Sequence, residues 1–234
     1  MSNPSLRIGV PCYESVPAHS FGCFLSIAEA GPWEIVRGTW IPKARNQIME
    51  NFTEDLLLFL DDDMVFEPQD VARLIQAIRA HPECGAISGD YVMRNGSMMP
   101  TCDWHHPDNP DGWLSDEDRD RLAKRHRESG SLTYVDSFGA GFLIITQEAK
   151  QKLGGPWFLT GYDSLGNFQG EDTYFCKKLQ EHGYKPAVHF GIPVGHCGAT
   201  VFMPEKASEA LTQEIRPRVP ILGKKRLDGR LKAV

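Results

Sequence analysis

Asp61-Asp62-Asp63 follows directly on the apolar run Leu-Leu-Leu-Phe-Leu at 56–60. Three carboxylates in series repel one another. A hard divalent cation is their natural counter-charge, because oxygen ligands suit magnesium, manganese and calcium. In an extended segment Asp61 and Asp63 project to one side and Asp62 to the other, so the spacing predicts that Asp61 and Asp63 share one site. The alternative is a polar loop whose carboxylates are only solvated. A second acidic pair, Glu171-Asp172, opens a helical pattern after Gly170. The helix dipole favours carboxylates there, so capping is one explanation. A general base that takes a proton from a hydroxyl is the other. His196 stands in Val-Gly-His-Cys-Gly at 194–198. It is either an ordinary surface or core histidine or a nitrogen ligand beside a carboxylate-bound metal. The second role favours manganese over calcium.

These residues need a frame. Arg-Ile-Gly-Val-Pro at 7–11 reads as a strand ended by proline. Phe21, Phe24, Leu25 and Ala28 recur at helical spacing until Gly31-Pro32. A second helix is expected over 43–52. The run at 56–60 suits a central strand buried on both faces. Pro68 opens a helix with an apolar stripe of Val71, Leu74, Ile75 and Ile78. Residues 86–92 read as a strand. The stretch 94–130 breaks this rhythm and reads as an insertion over the active face, with a solvated helix capped by Ser115. Strands are expected at 132–135 and 141–145, and a short helix capped by Thr146 follows. A helix over 172–182 closed by Gly183 and a last strand at 185–190 complete the pattern. The alternation predicts an α/β fold, a mainly parallel sheet flanked by helices, in a single domain over 1–212 with a tail at 213–234.

Composition narrows the classes. The 234 residues are 41% hydrophobic and 24% charged, which excludes a disordered or collagenous chain. No apolar run is long enough for a membrane span, and the N-terminus lacks a signal pattern, so a cytoplasmic protein is expected. The six cysteines show no zinc-knuckle spacing, and reduced thiols are the default. Net charge is −6. The tail at 213–234 carries seven basic and two acidic residues, leaving a net −11 on the remainder. An acidic body argues against wholesale coating of nucleic acid, although the basic tail, with Lys224, Lys225 and Arg226, could meet phosphates.

The set of motifs resembles the nucleotide-sugar-dependent glycosyltransferases of the GT-A fold, close to family 2. The resemblance runs from Ile8 to about Met203. It rests on Gly-Val-Pro-Cys-Tyr at 9–13, Ala-Arg-Asn at 44–46, the 58–65 run through the aspartates, Phe-Gly-Ala-Gly-Phe at 138–142, Pro-Trp-Phe at 156–158, Gly-Glu-Asp at 170–172 and Gly195-His196. The resemblance implies a metal-dependent transfer of sugar from a nucleotide diphosphate to an acceptor hydroxyl. It makes Asp63 and His196 metal ligands, with Asp61 at the ribose or the metal, and Mn2+ or Mg2+ the cofactor. Pro11, Tyr13, Glu14, Arg45, Asp61, Asp62, Gly139 and Gly141 fall on the nucleotide-sugar side, and a UDP-sugar is the expected donor. Asp172 matches the acceptor-activating base of inverting members, with Glu171 beside it. Trp157 falls on the acceptor side or is a packing residue. Trp104, in the insertion, could stack on an acceptor or pack the insertion down.

Two other readings compete. A haloacid-dehalogenase-type phosphatase also places Asp-x-Asp after an apolar strand, with Asp61 as nucleophile and Asp63 as acid/base. A non-catalytic sugar-binding protein could retain the fold. The acceptor is a saccharide or other alcohol, with a hydroxymethylated DNA base as the alternative suggested by the basic tail.

Overall fold

The computed structural model describes residues 4–162, 166–198 and 201–203. The basic tail, with Lys224, Lys225 and Arg226, lies outside the described residues, as does the domain boundary placed at 212. The chain begins with β1 (Leu6–Cys12), α1 (Ala18–Ser26), β2 (Trp33–Arg37), α2 (Ile41–Asn51), β3 (Leu56–Leu60), β4 (Met64–Val65), α3 (Pro68–Ala80) and β5 (Ala86–Asp90). A short hairpin of β6 (His105–His106) and β7 (Asn109–Trp113) precedes α4 (Asp116–Ser129). Then come β8 (Leu132–Tyr134), β9 (Phe142–Thr146), α5 (Gln147–Leu153), β10 (Gly161–Tyr162) and β11 (Phe168–Gln169). The described chain closes with α6 (Glu171–Glu181), β12 (Ala187–Pro193), β13 (Gly195–Cys197) and β14 (Val201–Phe202).

Seven strands form one sheet in the order β2-β1-β3-β9-β5-β12-β8. Five share one direction, and β8 and β9 run against it, so the sheet is mainly parallel as expected. β3 lies near its centre, paired with β1 on one side and β9 on the other. All five of its residues are buried. Alternation sends Leu57 and Phe59 to one face, against α2, α5 and α6. Leu56, Leu58 and Leu60 go to the other face, against α1 and α3. A strand covered on both faces has no place for polar residues, which explains the unbroken apolar run and puts the first polar residue, Asp61, at its carboxyl end.

α3 forms as its sequence dictates. Pro68 occupies the first turn, Glu67 and Asp70 make a reciprocal capping box, and Val71, Leu74 and Ile78 are buried. α1 departs from expectation. Phe24 is buried, but Phe21 and Leu25 are 54% and 60% exposed. The helix is only nine residues long and touches β4, so one narrow stripe suffices to seat it. β1 does not stop at Pro11 but continues to Cys12. Beyond Gly9 its pairing with β3 ends while that with β2 runs on, and a missing N–H is tolerated beside a single neighbour. β2 itself went unread, since an edge strand with mostly half-exposed residues lacks an apolar pattern. α4 is capped by the Ser115 hydroxyl as expected, yet it is not wholly solvated. Its Arg127 makes a buried bidentate pair with Asp90 at the end of β5, at 2.7 and 2.9 Å.

Candidate active site

β1, β3 and β5 end at the same edge of the sheet. In open α/β sheets ligands bind beyond this edge. The chain does not run on straight after β3. Asp61 accepts from the Met64 N–H at 3.2 Å, closing a tight turn, and Met64 enters β4, which pairs with β13. That turn separates the three aspartates. The extended-strand expectation that Asp61 and Asp63 share a side therefore does not hold.

Asp61 faces Arg45, whose Nη2 donates to both of its oxygens at 2.9 and 3.0 Å. Nη1 of the same guanidinium donates to Glu171 Oε1 at 2.9 Å and to Asp172 Oδ1 at 2.7 Å. Arg45 thus gathers carboxylates from the tip of β3 and the first turn of α6. It sits on α2, with a side chain only 3% exposed and packed over the Phe158 ring. Loss of hydration pushes the Asp172 carboxyl up to about 6 against the pull of Arg45, and Glu171 and Asp61 add repulsion. The three carboxylates hold Arg45 firmly in its charged form against the desolvation of its burial. Its Nε is buried without a hydrogen-bond partner.

Asp63 turns the other way. Its Oδ2 lies 3.4 Å from His196 Nε2 and also accepts from Arg94 Nη1. The β4–β13 pairing sets Met64 opposite His196, and the Cys197 N–H donates to the Asp63 carbonyl, so the backbone itself fixes this approach. His196 Nδ1 donates to the Val92 carbonyl at 2.9 Å, since a carbonyl can only accept. Burial opposes the imidazolium, but the bond and charge of Asp63 outweigh it and raise the His196 pKa.

The remaining predicted residues fall into groups. Asp62 accepts from the Tyr13 N–H at 3.1 Å, tying the turn to the loop after β1. Burial raises its pKa first, and Asp63 and Asp61 add to the rise. Tyr13 and Glu14 are exposed beside it, whereas Pro11 is buried within β1. Gly139 and Gly141 pack against Tyr91. A Cβ on Gly139 would come within 2.3 Å of the Tyr91 hydroxyl, and one on Gly141 within 2.9 Å. That hydroxyl accepts from the Gly141 N–H at 2.7 Å. The two tryptophans predicted for the acceptor both make packing contacts. Trp157 is 8% exposed in the core, and its indole N–H is taken by the Lys150 carbonyl. Trp104 stacks on Phe190 and donates to the Tyr134 carbonyl, pinning the insertion to the sheet. Both choices between packing and recognition resolve to packing.

Sequence reasoning missed Arg94, Tyr91, Tyr162 and Phe168. Arg94 is a single cation after β5, and nothing local marks it as a partner of Asp63. Tyr91 meets His196 edge-on with ring centroids 5.4 Å apart. Tyr162 and Phe168 face each other across the β10–β11 hairpin and are 75% and 68% exposed, just ahead of Glu171. Two large exposed aromatics on a short hairpin were the available signal.

Among the described residues no cluster of three or more His, Cys, Asp or Glu side chains is disposed to hold a metal ion. The donor chemistry at Asp63 and His196 nevertheless fits a divalent cation. With Nδ1 committed to Val92, the Nε2 position of a neutral His196 carries a lone pair facing a carboxylate oxygen. Two such acceptors side by side need a proton or a cation between them. One or two protein ligands suffice where substrate phosphates complete the shell.

Comparisons with known proteins bear on the fold. A family model described as glycosyl transferase family 2 matches residues 33–143, from β2 to the start of β9. No curated protein matches the chain in sequence. Among solved structures, A197 from STIV is similar at a TM-score of 0.59 and 18% identity, over 86% of this chain and 90% of that one. GalNAc-T7, solved with UDP, GalNAc and Mn2+, is similar at 0.50 and 14%, over 82% of this chain and 43% of its own length. A mannosyltransferase from Pyrobaculum calidifontis, in complex with GDP-Man and Mn2+, gives 0.48 and 14%, over 80% of this chain and 57% of that one. No helix of the described residues is long and apolar enough to cross a membrane.

Proposed function

Because the chain carries a family 2-like glycosyltransferase domain of GT-A fold, we propose that it moves a sugar from a UDP-linked donor to an acceptor hydroxyl with inversion, using Asp172 as base. The observation that carries this reading is the Arg45 cluster. One buried guanidinium holds Asp172 at the sheet edge together with Asp61 at the tip of β3. A carboxyl group poised near 6 is mostly ionised at neutral pH and still basic enough to accept a proton as the hydroxyl attacks. Arg45 orients this base. Glu171, on the same guanidinium, adds negative charge that keeps Asp172 basic.

Asp63 and His196 are the residues that would hold Mn2+ or Mg2+. Bound there, the ion supplies charge neutralisation for the diphosphate as the glycosidic bond breaks. That GalNAc-T7 was solved with UDP and Mn2+ supports this choice of donor and metal. Tyr13, Glu14 and Asp62 line the nucleotide side, tied together by the Tyr13–Asp62 bond. Exposed aromatic faces suit the apolar face of a saccharide ring, so Tyr162 and Phe168 would form the acceptor platform.

The family match supports sugar transfer over the phosphatase and the non-catalytic binder. A phosphatase also needs Asp61 as a free nucleophile, yet both of its oxygens are engaged by Arg45. The test is a screen of nucleotide sugars with Mn2+, read as release of nucleoside diphosphate. UDP-sugars are expected to turn over, and Asp63→Ala to abolish the release. Turnover that persists in Asp63→Ala, or that requires no nucleotide sugar, defeats the reading.

A further inference from the structure

We propose that Arg94 is the resident counter-ion of Asp63, and that a divalent metal must expel it to bind. Metal occupancy and release of the Arg94 guanidinium are then a single event. This inference rests on the metal-dependent reading above and extends it to a residue outside the motifs.

The geometry is specific. The Asp63 oxygen that faces His196 Nε2 at 3.4 Å is the one that Arg94 Nη1 occupies. A cation shared by Asp63 and His196 must approach that same oxygen. Arg94 therefore stands in the path of the metal. It must move, and it is built to do so. Asp63 is buried, with a side chain 7% exposed, whereas the Arg94 side chain is 59% exposed. Its backbone is held in place, because Met93 N–H donates to the Met99 carbonyl and Asn95 Oδ1 accepts from Ser97 N–H. A fixed base with a solvent-exposed arm can swing without unfolding anything.

Magnitudes separate this arginine from the other one in the site. Arg45 is 3% exposed and bound to three carboxylates, and stripping it away would leave buried charges unpaired. Arg94 makes one ion pair from the surface, and such pairs contribute little once water competes for the cation. Incoming metal therefore displaces Arg94 and leaves Arg45 in place. Until then Arg94 supplies the positive charge that offsets the Asp63 carboxylate.

The test uses Mn2+ alone, titrated into the full chain without donor and followed by the electron paramagnetic resonance signal of the free ion. Arg94→Ala is expected to bind Mn2+ about three- to fivefold more tightly than the parent, the change expected when a surface ion pair no longer competes. Asp63→Asn should abolish binding in both backgrounds. Arg37→Ala serves as a charge control, because Arg37 is a cation at the end of β2 that donates to the Glu14 carbonyl. It should leave Mn2+ affinity unchanged. Equal affinity in Arg94→Ala and the parent, with Asp63→Asn still inactive in binding, overturns the inference while the metal reading stands. A gain in Arg37→Ala as large as in Arg94→Ala also overturns it, by assigning the effect to net charge. If no variant binds Mn2+ even with UDP added, the metal reading fails and the inference goes with it.

Discussion

Arg45 holds three acidic groups with one guanidinium, and the consequences are measurable at single residues. Asp172→Asn keeps the shape but removes the proton acceptor, so transfer should fall about 10²- to 10⁴-fold, with donor affinity by calorimetry unchanged. Below about 6 the Asp172 carboxyl is protonated and cannot accept a proton. Turnover should therefore rise with pH through that value and level off above it. Glu171→Gln removes a repelling charge, which makes Asp172 more acidic, so the rising limb should move to lower pH. A limb that stays in place would show that another group sets the profile. Alanine at Phe168 should raise the acceptor KM and leave the donor KM alone, and an unchanged acceptor KM would remove the aromatic platform. Asp63, Asp172 and His196 stood out in sequence by type and position, Asp63 after a buried apolar strand and Asp172 at a helix start, where the helix dipole alone already favours a carboxylate. Their grouping was not legible. Periodicity places Asp61 beside Asp63, while the turn and the β4–β13 pairing, a contact between residues about 130 apart, send them to different partners.

Among elements, β3 and α3 could be read directly, since a fully buried strand and a capped, striped helix each leave a repeating pattern. β2 could not, since only Val36 points fully inward. α1 was legible as a helix, but not which stripe it buries, because only Ser20 and Phe24 are buried in it. The start of β9 depends on tertiary fit in the same way. Gly139→Ala pushes a methyl into the Tyr91 hydroxyl and should destabilise the fold by about 1 to 3 kcal/mol, as overpacking does. The loss should shrink in a Tyr91→Phe background, where the offending oxygen is gone, and urea melts of the four proteins in this cycle measure the coupling. If the two losses simply add, the clash is not the cause. α4 is held by a different device. Arg127→Met strands the Asp90 carboxylate, 1% exposed, without its partner, at a cost of about 3 to 5 kcal/mol by chemical denaturation. The sequence reading of a solvated helix missed this because one arginine among many charges gives no sign of which is inward.

For the molecule as a whole, the cysteines report on packing. All six are free, five are buried and Cys23 is partly exposed. Ellman's reagent at neutral pH should label at most one thiol per native chain and six in guanidinium. Rapid labelling of more than one would contradict the packing of both core layers. The family match ends at residue 143, short of both Asp172 and His196, so the proposal for these two residues rests on motif order and geometry, not on the matched region.

Tyr91 clips the start of β9 to the end of β5, through its hydroxyl to Gly141 and its carbonyl to Thr101. The excursion between them is thus pinched shut at its neck, like a purse drawn closed. Lengthening or shortening a segment whose ends are already joined alters closure entropy only logarithmically. Chimeras that exchange the β6–β7 hairpin at 105–113 for one of different length, while keeping Trp104 and Arg127, should therefore keep the register of the seven strands.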